Sequence, residues 1–262
     1  MNKKERQMLE ILKELKDEYS VLAVKAEFEA EGSRTDELVQ LNEIVFRAGM
    51  DLFIKIGGCE AVRDLDQCRL LGATGIMAPM IETPFAMTKF VHAAKKVYGD
   101  ELKDVEWIIN AETKTCRENF AEILKAGEGM LDTISVGRVD LSSSMGLCRE
   151  EINGDAVYEA VSFFAEKAKA AGLIVGMGGG ISFEAIPFIQ KMAPLIDKFE
   201  TRKIVFRTTD DEKRLKKSII KAMEFEVLYL QNKCDFYGRM ADEDKARMEM
   251  MWQRHKDASG LL

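Results

Sequence analysis

Two short segments hold residues whose types and positions could do chemistry: Ile108-Ile109-Asn110-Ala111-Glu112-Thr113 and Val136-Gly137-Arg138-Val139-Asp140-Leu141-Ser142. Each is an apolar, β-type run that ends in one isolated acid, so a carboxylate sits at the end of a strand. Carboxylate oxygens are the ligands that Mg2+ and Mn2+ prefer, and Mg2+ commonly takes one or two of them, leaving other positions to water and substrate. Glu112 and Asp140 are therefore a candidate metal pair. The bland alternative is that each caps the helix that follows, or pairs with Lys114 and Arg138.

The elements around these acids alternate. Strand-like runs over Val21–Phe28, Asp51–Gly57, Gly75–Met80, Glu106–Ala111, Asp132–Val136, Leu173–Met177 and Lys203–Arg207 are separated by helical periods over Asp36–Arg47, Cys59–Leu71, Thr83–Val97, Cys116–Lys125 and Asp155–Ala171. Such alternation predicts parallel strands with helical crossovers. Seven clear strands and an indistinct eighth favour an α/β fold of the (β/α)8 TIM-barrel type, with one irregular strand, over an open doubly wound sheet. The chain reads as a single domain over 1–262: an N-terminal helix over 1–19, a barrel over 20–211 and a helical C-terminal extension over 212–262. Met248, Met250, Met251 and Trp252 in that extension suit packing on the barrel or, by preference, on a second subunit, which predicts a homo-oligomer through the C-terminal helices.

Composition excludes several function classes. With 262 residues and 47% hydrophobic content the chain can bury one large core. Its net charge of −7 comes from intermixed acids and bases, which argues against a nucleic-acid partner. Five cysteines at 59, 68, 116, 148 and 234 form no CxxC pair, as expected of reduced thiols in a cytoplasmic protein. The amphipathic start is too polar for a signal peptide or membrane span, so no membrane partner is expected.

In a barrel the carboxyl ends of the strands converge on one face. The polar residues there are Glu27 and Glu29, then Glu31 and Arg34; Lys55; Glu82; Glu112 with Lys114; Arg138, Asp140 and the Ser142–Ser144 run; the glycines 178–180; and Arg207. Buried without partners, such charges would be costly; a cation and an anionic substrate would offset one another.

These residues match a family. Gly72-Ala73-Thr74-Gly75-Ile76-Met77-Ala78-Pro79-Met80 resembles the GA-x-G-(I/L)-(I/V)-x-P-M strand of the HpcH/HpaI aldolase and citrate lyase β-subunit family. Ile109–Thr113 resembles its IET metal strand, and Val136–Gly146 (VGRVDLSSSMG) its GPxDLSxSMG loop. The resemblance covers about Val21 to Gly180. It implies a pyruvate-type barrel in which Glu112 and Asp140 hold a divalent metal, Mg2+ first with Mn2+ or Co2+ as alternatives. It further implies that amides around Gly137, Arg138, Val139 and Asp140 help hold a small carboxylated substrate, and that C–C bond cleavage or formation passes through a metal-stabilised enolate.

Two departures qualify the resemblance. Lys55 stands where such aldolases usually carry an arginine, keeping the charge without its bidentate fork. The stretch Lys25-Ala26-Glu27-Phe28-Glu29-Ala30-Glu31 lacks the family's acid–His pair, and the chain's only histidines, His92 and His255, fall in a helix and in the tail. Proton transfer then rests on Glu27, Glu29, Lys55 or a metal-bound water. Lys55 and Arg207 either contact substrate or form salt bridges, and Glu82 binds substrate, orients Lys55 or caps a helix. The reading is a metal-dependent lyase or aldolase for a 2-oxo acid or related carboxylated substrate. Its alternatives are a thioester lyase like the citrate lyase β-subunit, and a barrel that binds metal and ligand without turnover.

Overall fold

The computed structural model describes residues 1–259. Eight strands close a barrel in the order β1 (Val21–Glu27), β2 (Asp51–Lys55), β3 (Gly75–Ala78), β4 (Glu106–Ala111), β5 (Thr133–Gly137), β6 (Ile174–Gly178), β7 (Lys198–Glu200) and β8 (Ile204–Arg207). The helices are α1 (Lys3–Tyr19), α2 (Thr35–Arg47), α3 (Val62–Leu71), α4 (Pro84–Tyr98), α5 (Lys114–Glu118), α6 (Phe120–Gly127), α7 (Arg138–Ser144), α8 (Asp155–Ala170), α9 (Ile186–Met192) and α10 (Glu212–Ser259). The predicted helix over Cys116–Lys125 is two helices, α5 and α6, that meet at Asn119.

Local rules explain the ends of these elements. Asn2 opens α1 with a capping box, accepting from the Glu5 amide at 3.0 Å while the Glu5 carboxylate accepts from the Asn2 amide at 2.6 Å. Met8, Ile11, Leu12 and Leu15 then recur at helical spacing and are buried. Thr83 caps α4, with Pro84 in its first turn.

The eighth strand departs from a regular barrel. Only Thr201, Arg202 and Lys203 join β7 to β8, whereas a parallel crossover needs about a dozen residues or more. The connection is therefore a hairpin, and β8 runs antiparallel to both β7 and β1. The hairpin is tied to α10, because Glu226 Oε1 accepts from Thr201 Oγ1 at 2.7 Å and from the Lys203 amide at 3.1 Å.

Most of the core lies between strands and helices, with Trp107 edge-on to Phe90 and Tyr98. A second, small cluster of Ala23, Phe53, Met77, Ile108 and Val205 draws one residue from each of five strands. Gly75 makes room for it: a Cβ there would meet the Phe53 ring at 2.5 Å. Gly75→Ala is expected to cost about 1–3 kcal/mol through overpacking, read as a lower denaturant midpoint at unchanged m-value.

Candidate active site

Where strands β1 to β7 end, their residues line one cleft of about 450 Å3. Strand β1 and the loop after it supply Lys25, Glu27 and Glu29; β2 supplies Lys55; β4 supplies Asn110 and leads to Glu112. The turn from β5 into α7 brings Gly137, Val139 and Asp140. Gly178–Gly180 follow β6, Glu200 ends β7, and Arg149 and Arg202 stand at the rim.

Glu112 is the most deeply buried charge of the cleft, at 1% exposure. Its Oε1 accepts from the Met80 amide at 3.0 Å and its Oε2 from Asn110 Nδ2 at 2.9 Å. Met80 makes that contact with φ of 51°, a left-handed conformation that non-glycine residues seldom adopt, so the turn after β3 is strained where it meets the acid. Gly137 completes the seat, since a Cβ on it would fall 2.4 Å from Glu112 Oε2.

Lys55 stands between two acids, with its Nζ 2.7 Å from Glu29 and 3.9 Å from Glu112. Lys25 pairs with Glu200 at 2.6 Å. Burial pushes the Glu112 carboxyl above the usual range despite the opposing pull of Lys55 and two hydrogen bonds, and the nearby Asp140 charge pushes it further. Burial alone would lower the Lys55 ammonium, but Glu112 and Glu29 more than reverse this and hold its pKa above normal. Lys55 is thus a fixed positive charge rather than a base at neutral pH. Cys116, just beyond Glu112, is no nucleophile, because burial pushes its thiol up to about 12.

The bland uses of the two acids are not the ones observed. Thr113, not Glu112, caps α5, accepting from the Cys116 amide at 3.0 Å, and the lysine beside Glu112 is Lys55. Asp140 lies in the first turn of α7 and faces the cleft. For a hard cation the donor set fits: two carboxylates share a cleft, and Asn110 Oδ1 is a buried carbonyl oxygen with no hydrogen-bond partner. Among the described residues no group of three or more His, Cys, Asp or Glu forms a metal cage, so any ion there would keep positions for water or substrate.

Two expected substrate contacts, Arg207 and Glu82, lie elsewhere, and at Arg138 the side chain, as distinct from the amide, is directed away. Arg207 is at the other mouth of the barrel, its amide donating to the Ser20 carbonyl at 3.1 Å, because β8 is reversed. Glu82 is outside the cleft lining, and its carbonyl accepts from Asn119 Nδ2 at 2.9 Å. Arg138 is fully buried and turned away from the cleft. It donates to Asn153 Oδ1 at 2.8 Å and to the Gly179 and Gly180 carbonyls at 2.7 and 3.2 Å, and lies over the Phe188 ring at 4.6 Å.

Reasoning from sequence missed Lys25, Asn110, Arg149, Glu200, Thr201 and Arg202 as lining residues. Period-2 alternation pointed to two of them, since Lys25 shares a strand face with Glu27 and Asn110 with Glu112. No local signal marked Glu200, which ends a three-residue strand. His92 and His255 lie on α4 and α10, as expected, and neither lines the cleft.

Arg138 clamps the Gly178–Gly180 turn onto α7. Arg138→Met should therefore destabilise the chain by about 1–3 kcal/mol and speed amide exchange at Gly180 and Ile181, because half-buried carbonyls lose their donors.

The HpcH/HpaI aldolase/citrate lyase family model matches residues 34–177. Among solved structures, an HpcH/HpaI aldolase from Desulfitobacterium hafniense DCB-2 is 16% identical with a TM-score of 0.61, covering 74% of this chain and 81% of that one. An HpcH/HpaI aldolase/citrate lyase family protein from Burkholderia cenocepacia J2315 is 15% identical with a TM-score of 0.58, covering 83% and 99%. A variant of the citrate synthase SbnG is 18% identical with a TM-score of 0.56, covering 84% and 88%. No match is found among curated proteins. At these identities the structural likeness concerns the fold alone, whereas the family model spans more than half of the sequence and includes both strand-end acids. The chain belongs to the HpcH/HpaI aldolase/citrate lyase family.

Proposed function

We propose that the chain is a carbon–carbon lyase or aldolase that takes a small 2-oxo acid or related carboxylated substrate, with a divalent cation held by Glu112 and Asp140. The observation that carries this reading is the Glu112 carboxylate, buried at the end of β4 in the same cleft as Asp140 although burial disfavours its charge. A fold keeps such a group at a cost to stability, and function is the usual reason. Mg2+ suits an all-oxygen site with few protein ligands, with Mn2+ or Co2+ as substitutes. When bound, the cation supplies Lewis-acid chemistry, withdrawing negative charge that develops on a substrate oxygen.

The chain's own residues do the remaining work. Lys55, kept protonated by Glu29 and Glu112, offers a fixed charge to a substrate carboxylate. The glycine turn at 178–180 lets backbone approach the start of α7 closely, since a Cβ on Gly179 would sit 2.8 Å from the Val139 nitrogen. The Val139 and Asp140 amides lie in the first turn of α7, where helical bonding leaves N–H groups free for a carboxylate. With no histidine lining the cleft, Glu27 and Glu29 are the groups available to move a proton.

The test is pyruvate release from 2-oxo acid substrates by metal-loaded protein. Glu112→Gln and Asp140→Asn are each expected to abolish metal-dependent turnover and to weaken Mg2+ binding in calorimetry. Full activity in either variant would sink the reading. Because burial already disfavours the Glu112 charge, metal-free Glu112→Gln protein should melt no lower than the parent, which separates lost chemistry from lost fold. Lys55→Met should lower kcat/KM by about tenfold or more, a loss of about 1.4 kcal/mol of transition-state binding, with Lys55→Arg intermediate.

A further inference from the structure

The charges that line the cleft are not all used by the reading above. Glu112 and Asp140 answer a divalent cation, Lys55 pairs with Glu29, and Lys25 pairs with Glu200. Two arginines are left over. Arg149 opens the short 3-10 segment Arg149–Asn153 and has no ion-pair partner among the described residues. Arg202 reaches Glu31 only at 3.8 Å, and Glu31 is already paired with the buried Lys203.

The turn after β6 adds backbone donors to the same cleft. Gly178–Gly180 and Ile181 line it, whereas Arg138 stands behind the turn and donates to the Gly179 and Gly180 carbonyls at 2.7 and 3.2 Å. In a trans peptide, as these are, the carbonyl and the N–H that follows it point in opposite directions. With both carbonyls drawn to Arg138, the Gly180 and Ile181 amides face the other way, into the cleft. Neither has an acceptor among the described residues. Gly180 takes a φ of 64°, and a Cβ on it would meet Ile152 at 2.7 Å and the Arg149 guanidinium at 3.6 Å, so Arg149 stands beside these amides. Burial, and after it the charge of Arg149, push the Arg138 guanidinium below its usual range. An anion at the amides would relieve that repulsion.

We infer that this corner of the cleft seats the phosphoryl group of a phosphorylated substrate, held by the Gly180 and Ile181 amides and by Arg149 and Arg202. Two unspent guanidiniums match a doubly charged group, and guanidinium forks with free amides are the donors that phosphate oxygens take. A three-carbon 2-oxo acid fills only part of the 450 Å3 available. The inference rests on the lyase reading for the metal end and adds the substrate class: a 4-hydroxy-2-oxo acid with a phosphate monoester at its far end. Cleavage of its C3–C4 bond passes the 4-hydroxyl proton to a base and returns a proton to C3, giving pyruvate and a phosphorylated aldehyde. The phosphate ester itself stays intact and serves as a handle.

The probe is inorganic phosphate, titrated at fixed ionic strength into the full chain with and without Mg2+, and followed by the 15N and 1H shifts of the backbone amides. Saturable binding is expected in both states, with the largest shifts at Gly180 and Ile181. Arg149→Gln should raise the dissociation constant about tenfold or more, with Arg149→Lys intermediate, and Arg202→Gln should weaken binding as well. In turnover, the phosphorylated acid should exceed its free-hydroxyl counterpart in kcat/KM by about tenfold or more, and Arg149→Gln should narrow that preference. Phosphate binding is read without turnover, so a lack of pyruvate release with the phosphate seat intact would count against the lyase reading alone. No saturable phosphate binding, an unchanged dissociation constant in both arginine variants, or tighter binding of malonate than of phosphate would overturn the inference.

Discussion

The site depends on seating a carboxyl group where the surroundings resist its charge. Glu112 is almost wholly buried, and what holds it is local: the strained Met80 amide, the Asn110 side chain and Lys55. Each holder comes from a different strand or turn, so the acid is positioned only when β2, β3 and β4 lie side by side. Gly137 is bound by the same constraint, because no larger residue leaves room beside Glu112. Desolvation makes the group costly, and the same low polarity strengthens its attraction for any cation that enters.

The reversed β8 shapes the rest of the mouth. A regular eighth strand would aim its last residue at the cleft; the hairpin instead sends Arg207 to the far end and leaves Thr201 and Arg202 at the rim. Lys203, in the same hairpin, pairs with Glu31 and lies over the Tyr229 ring at 4.5 Å, so that side of the mouth is braced against α10. The long helix thereby couples the barrel to a surface that extends well beyond it.

Much of this was legible in the residues. Alternating strand and helix periods, together with the family motifs, led to the barrel. The motif order also singled out Glu112 and Asp140, which do share a cleft. What was not legible had physical causes. Strand β7 has three residues, too few to show a period, and its absence hid the hairpin that turns β8 around. Arg138 reads as a strand-end cation, yet nothing short of three-dimensional packing shows that its guanidinium is used up by Asn153 and two glycine carbonyls. Lys25 and Asn110 lay in plain alternation with predicted site residues and would have followed from taking each strand face as a whole.

The central claim is that Glu112 and Asp140 make a metal site that remains open to a 2-oxo acid. Titration of Mn2+ followed by electron paramagnetic resonance, with and without oxalate as a mimic of the enolate form of pyruvate, tests it most directly. The account predicts one saturable Mn2+ site per chain, tightened and spectrally altered by oxalate and lost in Glu112→Gln. Saturable binding that persists unchanged in that variant, or no saturable binding in the parent, would contradict it.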